Sequence, residues 1–129
     1  MVKDVSVVEE DTKQIQLTDA SFTFQAILIE QFKLNKSEKV AQLDKKLISF
    51  PLIIRKWKAG DYFYPLGLRK KKKLARFFID QKLSPTVKEN AWVLEINKKI
   101  IWVIGQRIDD RFKITSKTKE VLELFITNP

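Results

Sequence analysis

Residues 91–105 read AWVLEINKKIIWVIG, and this stretch decides the fold. Two runs rich in β-branched and aromatic residues, 91–96 and 100–104, flank a short polar Asn-Lys-Lys segment. Such runs favour strands, and a brief polar connection between them is typical of a β-hairpin. We therefore predict an antiparallel hairpin whose tryptophans, Trp92 and Trp102, lie in the core.

Further strands are predicted on both sides of this hairpin. Residues 52–57, LIIRKW, are β-branched and lead into an Ala-Gly-Asp turn signal. Residues 22–29 carry apolar side chains at both alternating sets of positions, which predicts a strand buried on much of both faces. Residues 120–126 fit either a closing strand or a short helix. Shorter elements are also predicted: an edge strand at 5–8, short strands at 15–17 and 39–43, and a helical turn at 45–47.

One helix is predicted over residues 72–82, because Leu74, Phe77 and Phe78 recur near helical spacing. Pro85 is expected to stop it. Strands outnumber helices, so the predicted class is mainly β with one or two helices (α+β).

The composition excludes several kinds of chemistry. The 129 residues fit a single domain, 1–129, and include neither Cys nor His. Disulfides, thiolate or imidazole metal sites and His-dependent nucleophilic catalysis are therefore excluded, and we predict no metal site and no catalytic residue. Residues 1–5 lack a signal-peptide core, and no apolar run is long enough to span a bilayer. We expect a soluble, cytoplasmic protein without a membrane partner.

The charge is unevenly distributed along the chain. The net charge is +9, yet residues 1–50 carry 7 basic and 8 acidic side chains while residues 51–129 carry 18 and 8. A basic surface of this kind favours a polyanion, nucleic acid before an anionic membrane.

The densest basic stretch is RKKKKLAR at residues 69–76, where six of eight side chains are cationic. If the helix begins near Lys72, four or five cations crowd its N-terminus, where each costs about 0.3–1 kcal/mol because the helix dipole is positive there. A phosphate would reverse this balance, since free N–H groups and lysines would converge on it. A solvated charge run remains the simpler alternative.

Nearby aromatic and acidic residues admit two interpretations each. Trp57, Tyr62, Phe63 and Tyr64 could stack on unpaired bases or pack in the core. Arg107 could contact phosphate or pair locally with Asp109 or Asp110. Asp80 is expected to pair with a basic side chain or a backbone N–H.

The ordered motifs of residues 50–115 resemble the C-terminal domain of bacterial tRNA(Ile)-lysidine synthetases. They comprise FPLIIRKWKAGDYFYPLG at 50–67, KKKL at 71–74, FFIDQK at 77–82, IWVIG at 101–105 and RIDDRFK at 107–113. The resemblance implies a small β-sandwich-like domain similar to one in the phenylalanine tRNA synthetase β subunit. Ala59 departs from the Pro that often precedes Gly-Asp in the family, and Arg76 occupies an often polar or acidic position.

The resemblance also implies a function. The whole enzyme uses ATP to adenylate the wobble cytidine of tRNA(Ile), and free lysine then displaces AMP to leave lysidine. That chemistry belongs to an N-terminal catalytic domain with a Ser-Gly-Gly-x-Asp-Ser loop, which this chain lacks. The chain would be a non-catalytic domain without a cofactor of its own that positions tRNA(Ile), with the acceptor stem as the expected contact and the catalytic domain as its second partner.

Site residues follow from the matched motifs. The candidates for tRNA contact are Arg55, Lys71, Lys72, Lys73, Arg76, Arg107 and Arg111. The candidates for shaping the loop are Gly60, Asp61, Pro65 and Gly67, and Asp61 is also expected to orient a nearby cation.

The alternative function is an interdomain or homo-oligomer docking module without RNA contact, in which strand 22–29 packs against the catalytic part or a second copy.

Overall fold

The computed structural model describes residues 5–17 and 20–127, so most of the segment used to judge a signal peptide, residues 1–4, lies outside it. The strands are β1 (Val5–Val8), β2 (Gln14–Gln16), β3 (Ser21–Leu28), β4 (Val40–Asp44), β5 (Leu52–Lys56), β6 (Tyr62–Phe63), β7 (Lys72–Lys73), β8 (Trp92–Ile96), β9 (Lys99–Val103), β10 (Arg107–Ile108) and β11 (Glu120–Thr127). The helices are α1 (Leu74–Asp80) and α2 (Pro85–Glu89), with 3₁₀ turns at Ile29–Gln31, Lys45–Leu47 and Asp110–Phe112.

Two antiparallel sheets face each other across the main core. The five-stranded sheet has the order β1-β5-β8-β9-β10, and the four-stranded sheet has the order β2-β3-β11-β4. Leu52 and Trp102 from the first sheet join Phe22, Leu43 and Leu124 from the second in one buried cluster. The predicted mainly β, sandwich-like class is confirmed.

The predicted hairpin is confirmed as β8 and β9. Asn97 and Lys98 link the strands with φ angles of 44° and 66°, the left-handed conformation that a tight two-residue hairpin requires. The pairing shifts by one residue between Leu94 and Glu95, so β9 carries a bulge. Both predicted core tryptophans are buried.

The hairpin is buried on both of its faces. Its first face, with Leu94 and Trp102, contributes to the main core. Val93, Ile100 and Val103 belong to a second buried cluster, which also contains Phe63 and the α1 residues Leu74, Phe77 and Phe78. The second core attaches α1 and the small β6–β7 sheet to the sandwich.

The helix predicted over residues 72–82 begins later than expected. Lys72 and Lys73 form β7, which pairs with Tyr62 and Phe63 of β6. The Leu74 N–H donates to the Asp61 carbonyl at 2.9 Å, so the first helical residue is tied to the neighbouring loop. The predicted helix start near Lys72 is therefore two residues too early, because extended pairing with β6 takes Lys72 and Lys73; Lys73 becomes the N-cap of a helix of only seven residues.

Several local predictions are corrected or resolved. Pro85 does not simply stop α1: it opens α2 at the first helical position, where a missing N–H costs nothing, and the Ser84 hydroxyl caps that helix. Residues 120–126 lie in β11, which pairs with both β3 and β4. The predicted two-faced burial of residues 22–29 holds only at the start, because Gln25, Ala26 and Leu28 are exposed.

Two shorter predictions are confirmed. β1 lies at the edge of the five-stranded sheet. The Lys45–Leu47 turn forms, with the Asp44 carboxylate accepting the Lys46 N–H. Within the described residues, no helix is long and apolar enough to cross a membrane.

Phe63→Ala tests whether the second core holds the β6–β7 sheet. Phe63 is fully buried, so we expect the free energy of unfolding to fall by about 3–5 kcal/mol in urea titrations. Tyr62→Ala, on the opposite face of the same strand, is the control and should change it by about 0.5 kcal/mol or less. Equal effects of the two variants would contradict the described packing.

Candidate nucleic-acid interface

One face of the β6–β7 sheet combines aromatic rings with cations. Tyr62 lies directly opposite Lys73, and Phe63 between the tyrosines points into the second core. The Lys71 Nζ lies 4.3 Å from the Tyr62 ring centroid, and the Arg111 Cζ lies 4.3 Å from that of Tyr64. We call the surface formed by Tyr62, Tyr64, Lys71, Lys73 and Arg111 the aromatic–basic face.

A fully buried carboxylate positions part of this face. Asp109 accepts the Tyr64 backbone N–H at 2.9 Å and the Arg111 backbone N–H at 2.8 Å. It also accepts the Arg111 Nε and Nη2 at 3.0 and 2.9 Å. These side-chain hydrogen bonds raise the pKa of Arg111, so the guanidinium is held charged and in one orientation over the Tyr64 ring.

The loop between β6 and β7 is fastened to the 108–110 segment. The Leu66 N–H donates to the Ile108 carbonyl at 3.0 Å, and the Gly67 N–H donates to Asp110 Oδ1 at 3.1 Å. Pro65 forms a bridge with Asp109. The Gly67 hydrogen bond, supported by Lys113, lowers the pKa of Asp110. Gly67 has a φ of +87°, a conformation that L side chains rarely adopt.

Arg55 lies inside an ion-pair network rather than on this face. It donates two hydrogen bonds to Asp61, at 2.9 and 3.0 Å, and one to Glu95 at 2.6 Å. Burial alone lowers the pKa of Arg55, but hydrogen bonds to Asp61 and Glu95 leave it raised. Only 15% of the side chain is exposed, so its cation is directed at internal carboxylates and we do not include it in the face.

The Asp61 carboxylate also organises the turn before β6. It accepts the Lys58 backbone N–H at 2.7 Å, next to Gly60 with its φ of +94°. The expectation that Asp61 orients a nearby cation is confirmed by its two bonds to Arg55.

The other basic candidates fall into two groups. Lys72 and Arg76 both pair with Asp80, which confirms the pairing predicted for that carboxylate, and the hydrogen bond from Lys72 lowers the pKa of Asp80. Lys73 and Lys71 are exposed, as are Arg69 and Lys70 beside them. Within the described part of the chain, no salt bridge joins these four exposed side chains to an acidic one.

Arg107 does not form the local ion pair considered from the sequence. Asp109 pairs with Arg111 and Asp110 pairs with Lys113, whereas the Arg107 guanidinium lies 5.4 Å from the Phe77 ring centroid. The structure therefore brings Lys71, Lys73 and Arg111 to one face, with Arg107 at a different position.

The aromatic residues separate into exposed and packed groups. Trp57 packs edge-on against Phe78 with 5.0 Å between ring centroids, and its Nε1 donates to the Lys88 carbonyl, while Phe63 is fully buried. Of these four residues, the exposed Tyr62 and the half-buried Tyr64 remain for a surface role. The sequence signal for this separation was the alternation of Tyr62, Phe63 and Tyr64, because alternate residues of an extended segment share a face.

Comparisons with known proteins identify similar chains. A family model described as the TilS substrate C-terminal domain matches residues 52–124. The tRNA(Ile)-lysidine synthase of Parabacteroides distasonis is 40% identical over 116 residues, which covers 89% of this chain and 26% of that protein. The synthase of Bacteroides thetaiotaomicron is 38% identical over 91 residues, covering 70% and 21%. This chain thus spans about a quarter or less of these relatives.

A solved structure shares the fold. The crystal structure of a TILS C-terminal domain superposes with a TM-score of 0.78 at 18% identity, covering 96% of this chain and 97% of the other. The predicted likeness to a domain of the phenylalanine tRNA synthetase β subunit stays a prediction.

Asp61→Asn tests the structural role of the Arg55 network. The variant keeps the shape of the side chain but removes the charge that Arg55 faces, so we expect the free energy of unfolding to fall by about 2–3 kcal/mol. Glu120→Gln, which breaks the more exposed pair with Lys45, is the control, with an expected loss of about 0–1 kcal/mol. Urea titrations of both variants measure the difference, and equal losses would show that the network contributes no more than a surface pair.

Asp110→Asn tests the fastening of the loop through pH. A carboxylate whose pKa is lowered on folding stabilises the protein above its unfolded pKa, and this contribution disappears as the pH falls through the folded pKa. We expect the variant to be less stable than the parent at pH 7, with the difference shrinking below the ordinary value of 3.8. Urea titrations at a series of pH values measure it, and a difference independent of pH would contradict the assignment.

Proposed function

The chain belongs to the family of TilS substrate C-terminal domains, and on that premise we propose that it is the tRNA-binding accessory domain of a tRNA(Ile)-lysidine synthase. The observation that carries this proposal is the aromatic–basic face, where two cations lie 4.3 Å from two tyrosine rings beside further exposed lysines. The face has charge for phosphates and flat rings for bases, the two requirements of an RNA contact.

The basic side chains of the face would bind the phosphates of the RNA backbone. Lys71 and Lys73, with Arg69 and Lys70, are exposed cations whose charge is available for phosphates. Arg111 presents a planar guanidinium that Asp109 already orients, so little of its conformational freedom is lost on binding. Contacts of this kind read the shape and phosphates of an A-form duplex rather than its sequence.

The domain would act by positioning. It holds tRNA(Ile), with the acceptor stem as the proposed contact, while the N-terminal catalytic domain of the same enzyme carries ATP and lysine to the wobble cytidine. The domain itself uses no cofactor and performs no chemical step, and we place the enzyme in the cytoplasm. Lys72 and Arg76 contribute through their charge near the face, although both also pair with Asp80.

The docking alternative stays a prediction with less support. It relied on strand 22–29 presenting an apolar face to a partner. In β3, Phe22 and Phe24 are buried in the main core, so the exposed apolar side chains that remain on the strand are Ala26 and Leu28, beside the polar Gln25.

Replacing Lys71 and Lys73 together by alanine tests the proposal. If both contact phosphates, the slope of log affinity against log salt for a tRNA(Ile) transcript should fall by about two units, and affinity at moderate salt by roughly tenfold. Fluorescence anisotropy across a salt series measures both quantities.

The matched control is Lys117→Ala with Lys119→Ala, because these lysines are exposed, have the same spacing and lie in the chain before β11. The control should bind as the parent does. An unchanged affinity and slope in the Lys71 and Lys73 variant, or equal losses in both variants, would reject the aromatic–basic face as the contact.

A further inference from the structure

A cavity of about 660 Å³ opens where the β3–β4 connection faces the segment that follows β9. Its walls are largely apolar, with the aromatic side chains of Phe32 and Trp102 and the aliphatic side chains of Leu34, Leu66 and Ile108. Pockets of about 300–1,000 Å³ with apolar walls and a few polar groups typically hold small ligands. We call this cavity the Phe32 pocket.

The polar groups at the Phe32 pocket favour an anionic ligand. Two lysines, Lys36 and Lys113, line it against one carboxylate, Glu38, whereas the Arg107 guanidinium lies over the Phe77 ring of the second core. Lys113 also pairs with Asp110 at 3.2 Å, whereas no salt bridge in the described part of the chain involves Lys36. The excess of positive charge complements a phosphate rather than a carboxylate-rich or neutral apolar segment.

A further polar group at the pocket is available for recognition. The Gln106 side chain lines the cavity, and its amide makes no hydrogen bond among the described residues. An amide both donates and accepts, which matches the edge of a nucleobase. A flat base between apolar walls with an amide at its edge is a common mode of single-strand RNA recognition.

The pocket walls are held by hydrogen bonds before any ligand binds. The Gln42 Nε2 donates to the Lys33 carbonyl at 2.9 Å, and its Oε1 accepts the Asn35 N–H at 3.0 Å. On the opposite wall, the Leu66 N–H donates to the Ile108 carbonyl. Preformed walls reduce the entropy lost on binding.

The Phe32 pocket adjoins the aromatic–basic face. Leu66 follows Tyr64 by two residues, so their Cα atoms lie within about 7 Å of each other. One wall of the pocket thus belongs to the loop whose beginning forms the face. A nucleic acid strand leaving the face is within reach of the pocket.

We propose that the Phe32 pocket binds one unpaired nucleotide at the end of the RNA duplex that the aromatic–basic face holds. The base lies between the apolar walls, Gln106 contacts its edge, and Lys36 contacts its phosphate. This inference rests on the proposed function. It adds recognition of a single-stranded end to a face that otherwise reads only shape and charge.

The test compares three labelled RNA hairpins that share one duplex and end bluntly, in a 3′ overhang or in a 5′ overhang. We expect the 129-residue chain to bind one overhang about tenfold more tightly than the blunt hairpin, which is within the range for one stacked base. Fluorescence anisotropy measures the affinities.

Two variants link the preference to the pocket. Phe32→Ala removes an aromatic wall, and Gln106→Glu keeps the walls but places a carboxylate where the phosphate and base edge would lie. Both should bind the overhang hairpin and the blunt hairpin with equal affinity. Gln14→Glu is the control for the added charge. Gln14 lies in β2, whereas Gln42 at the pocket lies in β4, and these two strands occupy opposite edges of the four-stranded sheet. Thermal unfolding shows whether each variant is folded. If Phe32→Ala does not fold, the result for Gln106→Glu alone tests the pocket.

The outcomes separate this inference from the proposed function. If the parent binds all hairpins equally and the Lys71 and Lys73 variant still binds them less well, the pocket does not hold a nucleotide, although the face binds RNA. The same conclusion follows if the overhang preference survives in Gln106→Glu. A pocket filled by another segment of polypeptide would give the first of these results. If no hairpin or tRNA binds the parent, the proposed function fails as well.

Discussion

The burial of the β8–β9 hairpin on both faces is the constraint on which the rest of the structure depends. Trp102 and Leu94 face the core between the two sheets, whereas Val93 and Val103 face the cluster under α1. Removing the apolar side chains of one hairpin from water on both sides stabilises two cores at once, at about 25 cal/mol per Å² of buried apolar surface. The small β6–β7 sheet, too short to be stable alone, therefore gains a rigid support.

Two buried carboxylates convert this support into a defined surface. Asp109 holds the Tyr64 backbone and the Arg111 side chain together, and Asp61 joins Arg55 to the turn before β6. Each accepts hydrogen bonds from charged and neutral donors, and within the described residues every buried side-chain polar atom has a partner. Satisfied networks of this kind favour a single arrangement, because any alternative leaves a buried charge without its partners.

The basic residues illustrate how far sequence reasoning extends. The charge excess and the aromatic residues among the lysines were visible in the sequence, and so was the family resemblance that the match over residues 52–124 confirms. Arg55 could not be distinguished from Lys71, because its role depends on strand register: it lies opposite Val93, which brings Glu95 of the same strand within reach. The Phe32 pocket was invisible for the same reason, since its walls come from segments far apart in the chain.

The sequence by itself determined the mainly β class, the hairpin and its core tryptophans, because alternation and β-branched runs act over a few neighbouring residues. Only the tertiary structure decided that Lys72 and Lys73 form a strand. Their local composition is compatible with a helix, but pairing with β6 satisfies their backbone groups in the extended conformation, and the bond from the Leu74 N–H to the Asp61 carbonyl fixes where the helix begins. Tertiary contacts likewise decided which cations are free and which are neutralised, because an ion pair depends on distances between residues that the order of the chain does not specify.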